Sequence, residues 1–173
     1  MNIDNWTSKL NENTNSILNL LKDSSEEECS FKTKGSWCIL EILEHLERTD
    51  LAILKFLSSP SNKKNETSEK FGDSKMSHVV YDKKDIKNPS PEIVKPLGKY
   101  KTLSEAIEGL IQSRNAIKQA IKNNKLHLDF EMYLHPVFGY ITGNDWLYFL
   151  YHHSRRHLDQ IIKTQNQYLH GIS

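Results

Sequence analysis

Two histidines four residues apart carry the first chemistry in this sequence. His153 and His157 stand in the run His153-Ser-Arg-Arg156-His157-Leu-Asp-Gln160. On a helix, side chains at i and i+4 share a face, about 5–6 Å apart at Cβ, so two imidazoles can reach one metal ion. The same positions fall in an apolar stripe with Trp146, Phe149, Leu150, Ile161 and Thr164, which turns both rings towards the interior. Buried imidazoles need polar partners, because an unpaired polar group is costly in an apolar setting. A shared metal meets that need, and so do core hydrogen bonds; the pair alone does not choose between them. Zinc-like ions take at least three protein ligands. His45 offers a third, at the edge of another apolar arc beside Ile42, Thr49 and Phe56, where it serves equally well as a rim histidine.

Other side chains have two readings each. Arg114 falls near the centre of an apolar stripe, where it either binds an anionic substrate group or, the favoured reading, snorkels its charge to solvent along a packed stem. Arg156 and Gln160 flank the histidine pair, as support for the metal or substrate or as a solvated edge. His152 projects about 100° from His153 and is expected at the surface. His135 is expected to fix its own loop, with the site within reach, and His78, His127 and His170 to be exposed. Trp37 and Trp146 read as core, and neither Cys29 nor Cys38 sits in a recognisably activating setting. No general base is evident, so no catalytic residue is named.

Four stretches must position these groups. Apolar spacing of threes and fours predicts helices over roughly 3–22, 39–57, 103–122 and 144–168. Thr102-Leu-Ser-Glu105 is a capping box; Thr142-Gly-Asn-Asp145 is a weaker version with Asp for Glu. Asn13 and Thr14 interrupt the first apolar face, and Asp23 to Glu28 reads as a solvated acidic loop. Four amphipathic helices of about 20 residues suit an all-α four-helix bundle, here with long crossover loops. Residues 58–100 hold four of the five prolines, and a structureless loop of that length is uncommon, so part of it should pack on the helices. Val79-Val80-Tyr81 could be a short extended piece, and Pro60 to Lys75 should be the most mobile part. The connection over 123–141 carries Leu126, Phe130, Tyr133, Val137 and Phe138 and should not hang free.

Two segments resemble a known family. Trp37-Cys-Ile-Leu-Glu41-Ile-Leu-Glu44-His45-Leu46 resembles the tryptophan-to-histidine segment of the DinB-like superfamily, which includes the YfiT-type proteins. His135-Pro-Val-Phe-Gly139, then Thr142, Trp146 and His153 to Gln160, resembles its last helix and the preceding loop. Together they cover about a quarter of the chain, and the second pattern is the more specific. The resemblance implies a four-helix bundle in which three histidines hold a divalent metal, matching His45, His153 and His157. It implies thiol-dependent S-transfer, with a low-molecular-weight thiol on the metal, or small-molecule hydrolysis. Three imidazoles leave a coordination position open, the pattern of catalytic more than structural sites; zinc and nickel both suit them. The alternative is a non-catalytic bundle that binds a small molecule or a protein. The chain departs from the family at Cys38, where many relatives place a serine cap, and residues 58–100 align with nothing.

Composition narrows the rest. A length of 173 residues fits one domain. The 23 basic and 22 acidic side chains leave a formal charge of +1, which disfavours nucleic acid or an anionic membrane as partner. No run approaches the length of a membrane span. The first ten residues lack a basic start and an apolar signal core, and two cysteines make no disulfide framework, so a cytoplasmic location is expected. Glu-x-x-His, His-Glu-x-x-His, the P-loop and the dinucleotide-binding glycine pattern are all absent. A homodimer is plausible on general frequency.

Overall fold

The computed structural model describes residues 1–83 and 89–171. The chain is mostly helical: α1 spans Ile3–Leu21, α2 Glu26–Ser30, α3 Ile39–Leu57, α4 Gly72–Ser77, α5 Leu103–Lys122 and α6 Gly143–Leu169. A hairpin of β1, Met132–His135, and β2, Gly139–Thr142, precedes α6. The four long helices match the apolar periodicity to within a residue or so at each end. The hairpin makes the fold mostly rather than entirely helical.

Contacts between the long helices fix their directions. Trp6 Nε1 donates to Leu147 O, Ser154 Oγ to Asn13 Oδ1, and Gln165 Nε2 to Leu20 O, so α1 and α6 run parallel. Asp50 accepts from Ser113 and Glu47 lies against Gly109, so α3 and α5 also run parallel. His45 meets His153 while Phe56 meets Trp146, so α3 opposes α6. Thr14 pairs with Arg114 and Asn11 with Lys118, so α1 opposes α5. Parallel neighbours cannot be joined by a tight turn, which is why α3 and α5 need the long connection between them.

The apolar core is in two parts. One contains Ile17, Leu21, Ile39, Ile42, Leu43, Leu46, Leu110 and Ile161. The other contains Trp6, Leu10, Ile53, Leu57, Ile117, Trp146, Leu147 and Leu150. Between them each long helix contributes polar residues: Asn13 and Thr14, Asp50, Ser113 and Arg114, and Ser154. Arg114 Nε donates to Asp50 Oδ2 at 2.7 Å, its other nitrogens to Thr14 Oγ1 and Ser154 Oγ, and Ser113 Oγ also donates to Asp50. This explains why Asn13 and Thr14 break the stripe of α1. It also corrects the reading of Arg114: the residue is 1% exposed and does not snorkel. A guanidinium with a carboxylate and hydroxyls within reach is satisfied where it stands, so it has no need of solvent.

The connections are more ordered than their composition suggests. The acidic stretch is not simply a solvated loop: Ser25 Oγ accepts from Glu28 N and starts α2, and the Glu26 carboxylate accepts from Leu103 N at the start of α5. A carboxylate suits the free amides and partial positive charge of a helix N-terminus. Asp145 closes its capping box with Thr142 and also accepts from the amides of Lys70, Phe71 and Gly72. Much of Pro60 to Lys75, expected to be the most mobile part, is therefore tied down; Asn65 and Lys63 further pair with Phe130 and Met132. Val79, Val80 and Tyr81 are not extended. They lie in a π-helical turn, His78–Asp82, that continues α4 and buries Val80 against α6. A one-turn 3₁₀ helix, Glu92–Val94, packs on α3.

Candidate metal centre

The site starts at the beginning of α3. Cys38 is the residue before the helix, and the Glu41 carboxylate accepts from its amide at 3.0 Å, the reciprocal half of a capping box that fixes the helix start. One and two turns along, α3 carries Glu44, His45 and Glu47 on a buried face. Opposite them, α6 carries His153 and His157, and the antiparallel crossing brings the three rings together.

His153 Nε2 lies 3.2 Å from His45 Nε2 and 3.1 Å from His157 Nε2. All three ligand atoms fall within 4.8 Å of one another. Ligand nitrogens at 2.0–2.1 Å from a tetrahedral ion are about 3.3 Å apart, so the observed spacing fits a single small cation. Tautomers strengthen the point. His45 Nδ1 is 2.7 Å from the Val94 carbonyl, which can only accept, so Nδ1 carries the proton and Nε2 presents a lone pair. His157 Nδ1 donates in the same way to Gln160 Oε1 at 2.9 Å. Two lone pairs thus converge on His153 Nε2, whose single possible proton can satisfy only one of them. A cation at the centre would satisfy all three.

Electrostatics keep the rings neutral. His45 is 2% exposed and His157 6%; His153 is half-buried. Burial pushes the His45 imidazole down to about 4, with the nearby Arg48 charge adding to the effect and the Val94 bond opposing it. Burial likewise holds His153 and His157 well below the ordinary histidine value, and the neighbouring imidazoles and the Arg156 charge act in the same direction. Neutral imidazole is the form that binds metal.

Trp37 reads from sequence as core, yet it is half-buried with its ring 4.8 Å from His45 and stacked at 6.4 Å on His157. Phe149 stacks on His153 at 5.0 Å. Gln160 orients His157, while Arg156 is half-buried beside the pair. Arg114 stays in the polar layer with Asp50 and is not brought to the three histidines by any of its bonds. His152 is a correction. It is 3% exposed, with Nε2 at 2.7 Å from Asp73 and Nδ1 accepting from Arg155, so it ties α4 to α6 rather than facing solvent. His135 does fix its loop: Nδ1 accepts from Val137 and Phe138 amides, and Gly139 at φ 69° completes the turn. Two surface cavities, of about 570 and 350 Å³, lie at the end of α6 with Tyr81 and beside the hairpin with Phe56, and neither is lined by a histidine of the triad.

Val94 and Glu44 escaped the sequence reading. A backbone carbonyl has no sequence signature, and nothing in the sequence sets Glu44 apart from Glu41 and Glu47 on the same helix.

The DinB superfamily profile matches residues 9–161. The chain is 31% identical over 145 residues to the uncharacterized protein YuaE of Bacillus subtilis strain 168, covering 83% of this chain and 86% of that protein. No solved structure matches the chain. With three histidines converging from two helices, and a family match that spans both, the chain belongs to the DinB superfamily.

Proposed function

We propose that this protein is a divalent-metal-dependent enzyme acting on a small molecule, by thiol S-transfer or by hydrolysis, with His45, His153 and His157 as the metal ligands. Its four long helices form a four-helix bundle, one domain over residues 1–173, in a cytoplasmic protein. The carrying observation is the convergence of three Nε2 atoms, two of them with lone pairs fixed by bonds at Nδ1. Zinc or nickel bound there would supply Lewis acidity and lower the pKa of a water or thiol in the open position. The protein's part is to hold three neutral imidazoles in place. Val94 and Gln160 fix two tautomers, and Trp37 and Phe149 pack against the rings and hold their planes; Arg156 beside the pair is the candidate group for substrate or for support of the metal. A metal centre needs such outer partners to orient its ligands.

A second reading has one observation in its favour. The three rings already lie within hydrogen-bond distance of one another, with Nδ1 of His45 and of His157 bonded, as suits a hydrogen-bonded centre in a non-catalytic bundle that binds a small molecule or protein. The deciding experiment is elemental analysis of untagged protein, unsubstituted and His153→Ala, followed by assays with a chromogenic aryl halide plus a small thiol and with an activated ester. About one zinc or nickel per chain, lost in His153→Ala with helicity retained, supports the ligand set. Stoichiometric metal in the variant overturns it. Metal without turnover in either assay favours the second reading.

A further inference from the structure

We infer that Glu44 is a positioning residue for the centre, acting through the strap of chain over residues 92–100; the inference rests on the metal reading above. Glu44 is 1% exposed, and its carboxylate accepts from three successive backbone amides: Leu97 at 2.8 Å, Gly98 at 3.0 Å and Lys99 at 3.0 Å. A buried carboxylate is tolerated only when its lone pairs are met, and here a short run of backbone meets them. Three residues before that run, the Val94 carbonyl accepts from His45 Nδ1. The same part of α3 holds the strap elsewhere: Arg48 donates to Ile93 O, and Glu47 accepts from Lys99 and Tyr100. Glu44 and His45 are adjacent in sequence, so one holds the strap and the other reads its position.

The consequence is chemical. With Val94 O in place, His45 carries its proton on Nδ1 and aims a lone pair at the triad. With the strap displaced, the Nδ1 proton loses its acceptor, and the tautomer with the proton on Nε2, which offers the triad no lone pair, becomes accessible. Free imidazole populates both tautomers, so the carbonyl bond decides the outcome.

The test uses the isosteric Glu44→Gln, in which the side-chain NH₂ opposes an amide N–H and cannot accept from it. The His45 tautomer is read in metal-free protein by long-range ¹H–¹⁵N NMR, and zinc affinity is measured by competition with a chelator. Tyr100→Phe is the control, because it loosens the strap at Glu47 without touching Glu44 or Val94. The expected result is a mixed His45 tautomer and a 10–100-fold weaker zinc affinity in Glu44→Gln, with a single Nδ1–H tautomer in Tyr100→Phe. An unchanged tautomer and affinity in folded Glu44→Gln overturns the inference, as does equal mixing in both variants, which would make Glu44 merely structural. Zinc binding by the unsubstituted protein tests the metal reading separately, since the tautomer is read without metal.

Discussion

His157 and Gln160, three residues apart on one helix, show how far single residues could be read. Spacing put two imidazoles on one inward face of α6, and the structure sets them 3.1 Å apart at Nε2. Spacing could not supply the Val94 carbonyl, because that bond joins residues 49 apart through a backbone atom that any residue possesses. Arg114 shows the opposite failure. Its place in an apolar stripe was visible, but its partner Asp50 was hidden on another helix. The two side chains are 1% and 2% exposed and bonded at 2.7 Å. Removing one member leaves the other charge buried and unpaired, which typically costs about 3–5 kcal/mol. Arg114→Met should therefore lower the unfolding free energy, measured by urea denaturation, by that much while bound metal per chain stays as in the unsubstituted protein. Asp50→Leu combined with Arg114→Met should recover most of the loss, since a well-packed apolar pair carries no stranded charge. A variant that loses metal but no stability would instead tie Arg114 to the centre.

At the scale of elements, the seat of Tyr100 between Glu47 of α3 and Gly109 of α5 depends on one missing side chain. A Cβ on Gly109 would lie 1.8 Å from Tyr100 Oη and 2.7 Å from its Cζ. Tyr100 is 9% exposed and donates to Glu47, so its ring has little room to move aside. Two effects compete in Gly109→Ala. Helix propensity favours alanine by about 1 kcal/mol, while overpacking typically costs about 1–3 kcal/mol. With a contact this short, overpacking wins, and the variant should melt lower. In a Tyr100→Ala background the obstacle is gone, so Gly109→Ala should become neutral or stabilising; additive effects in that double-mutant cycle would refute the steric account. The helices themselves were legible because each carries its own 3.6-residue period. The hairpin, α2 and the π-helical turn were not, because their stability comes from partners far along the chain, such as Asp145 for residues 70–72 and α6 for Val80. Family resemblance, more than periodicity, pointed to His45 as the third histidine.

Over the whole molecule, five histidines are held neutral by the fold. Burial lowers His45 and His135 to about 4, and it also lowers His152, His153 and His157 from the ordinary 6.5. The unfolded chain therefore binds protons that the native protein refuses. By linkage, stability is fully present above about pH 6.5 and falls as pH drops towards 4. The urea midpoint of metal-free protein should decline through that window, with proton uptake on unfolding. Zinc adds a second curve with a different shape. At a free concentration of 100 times its Kd, it should stabilise the native state by about 2.7 kcal/mol. Protons compete for a ligand only near that ligand's folded pKa, and the triad's values lie well under 6.5. The increment from zinc should then persist as pH falls through about 6.5, even while the metal-free midpoint declines. An increment that fades across that value, or that survives in His153→Ala, would place the zinc on the surface and not between α3 and α6.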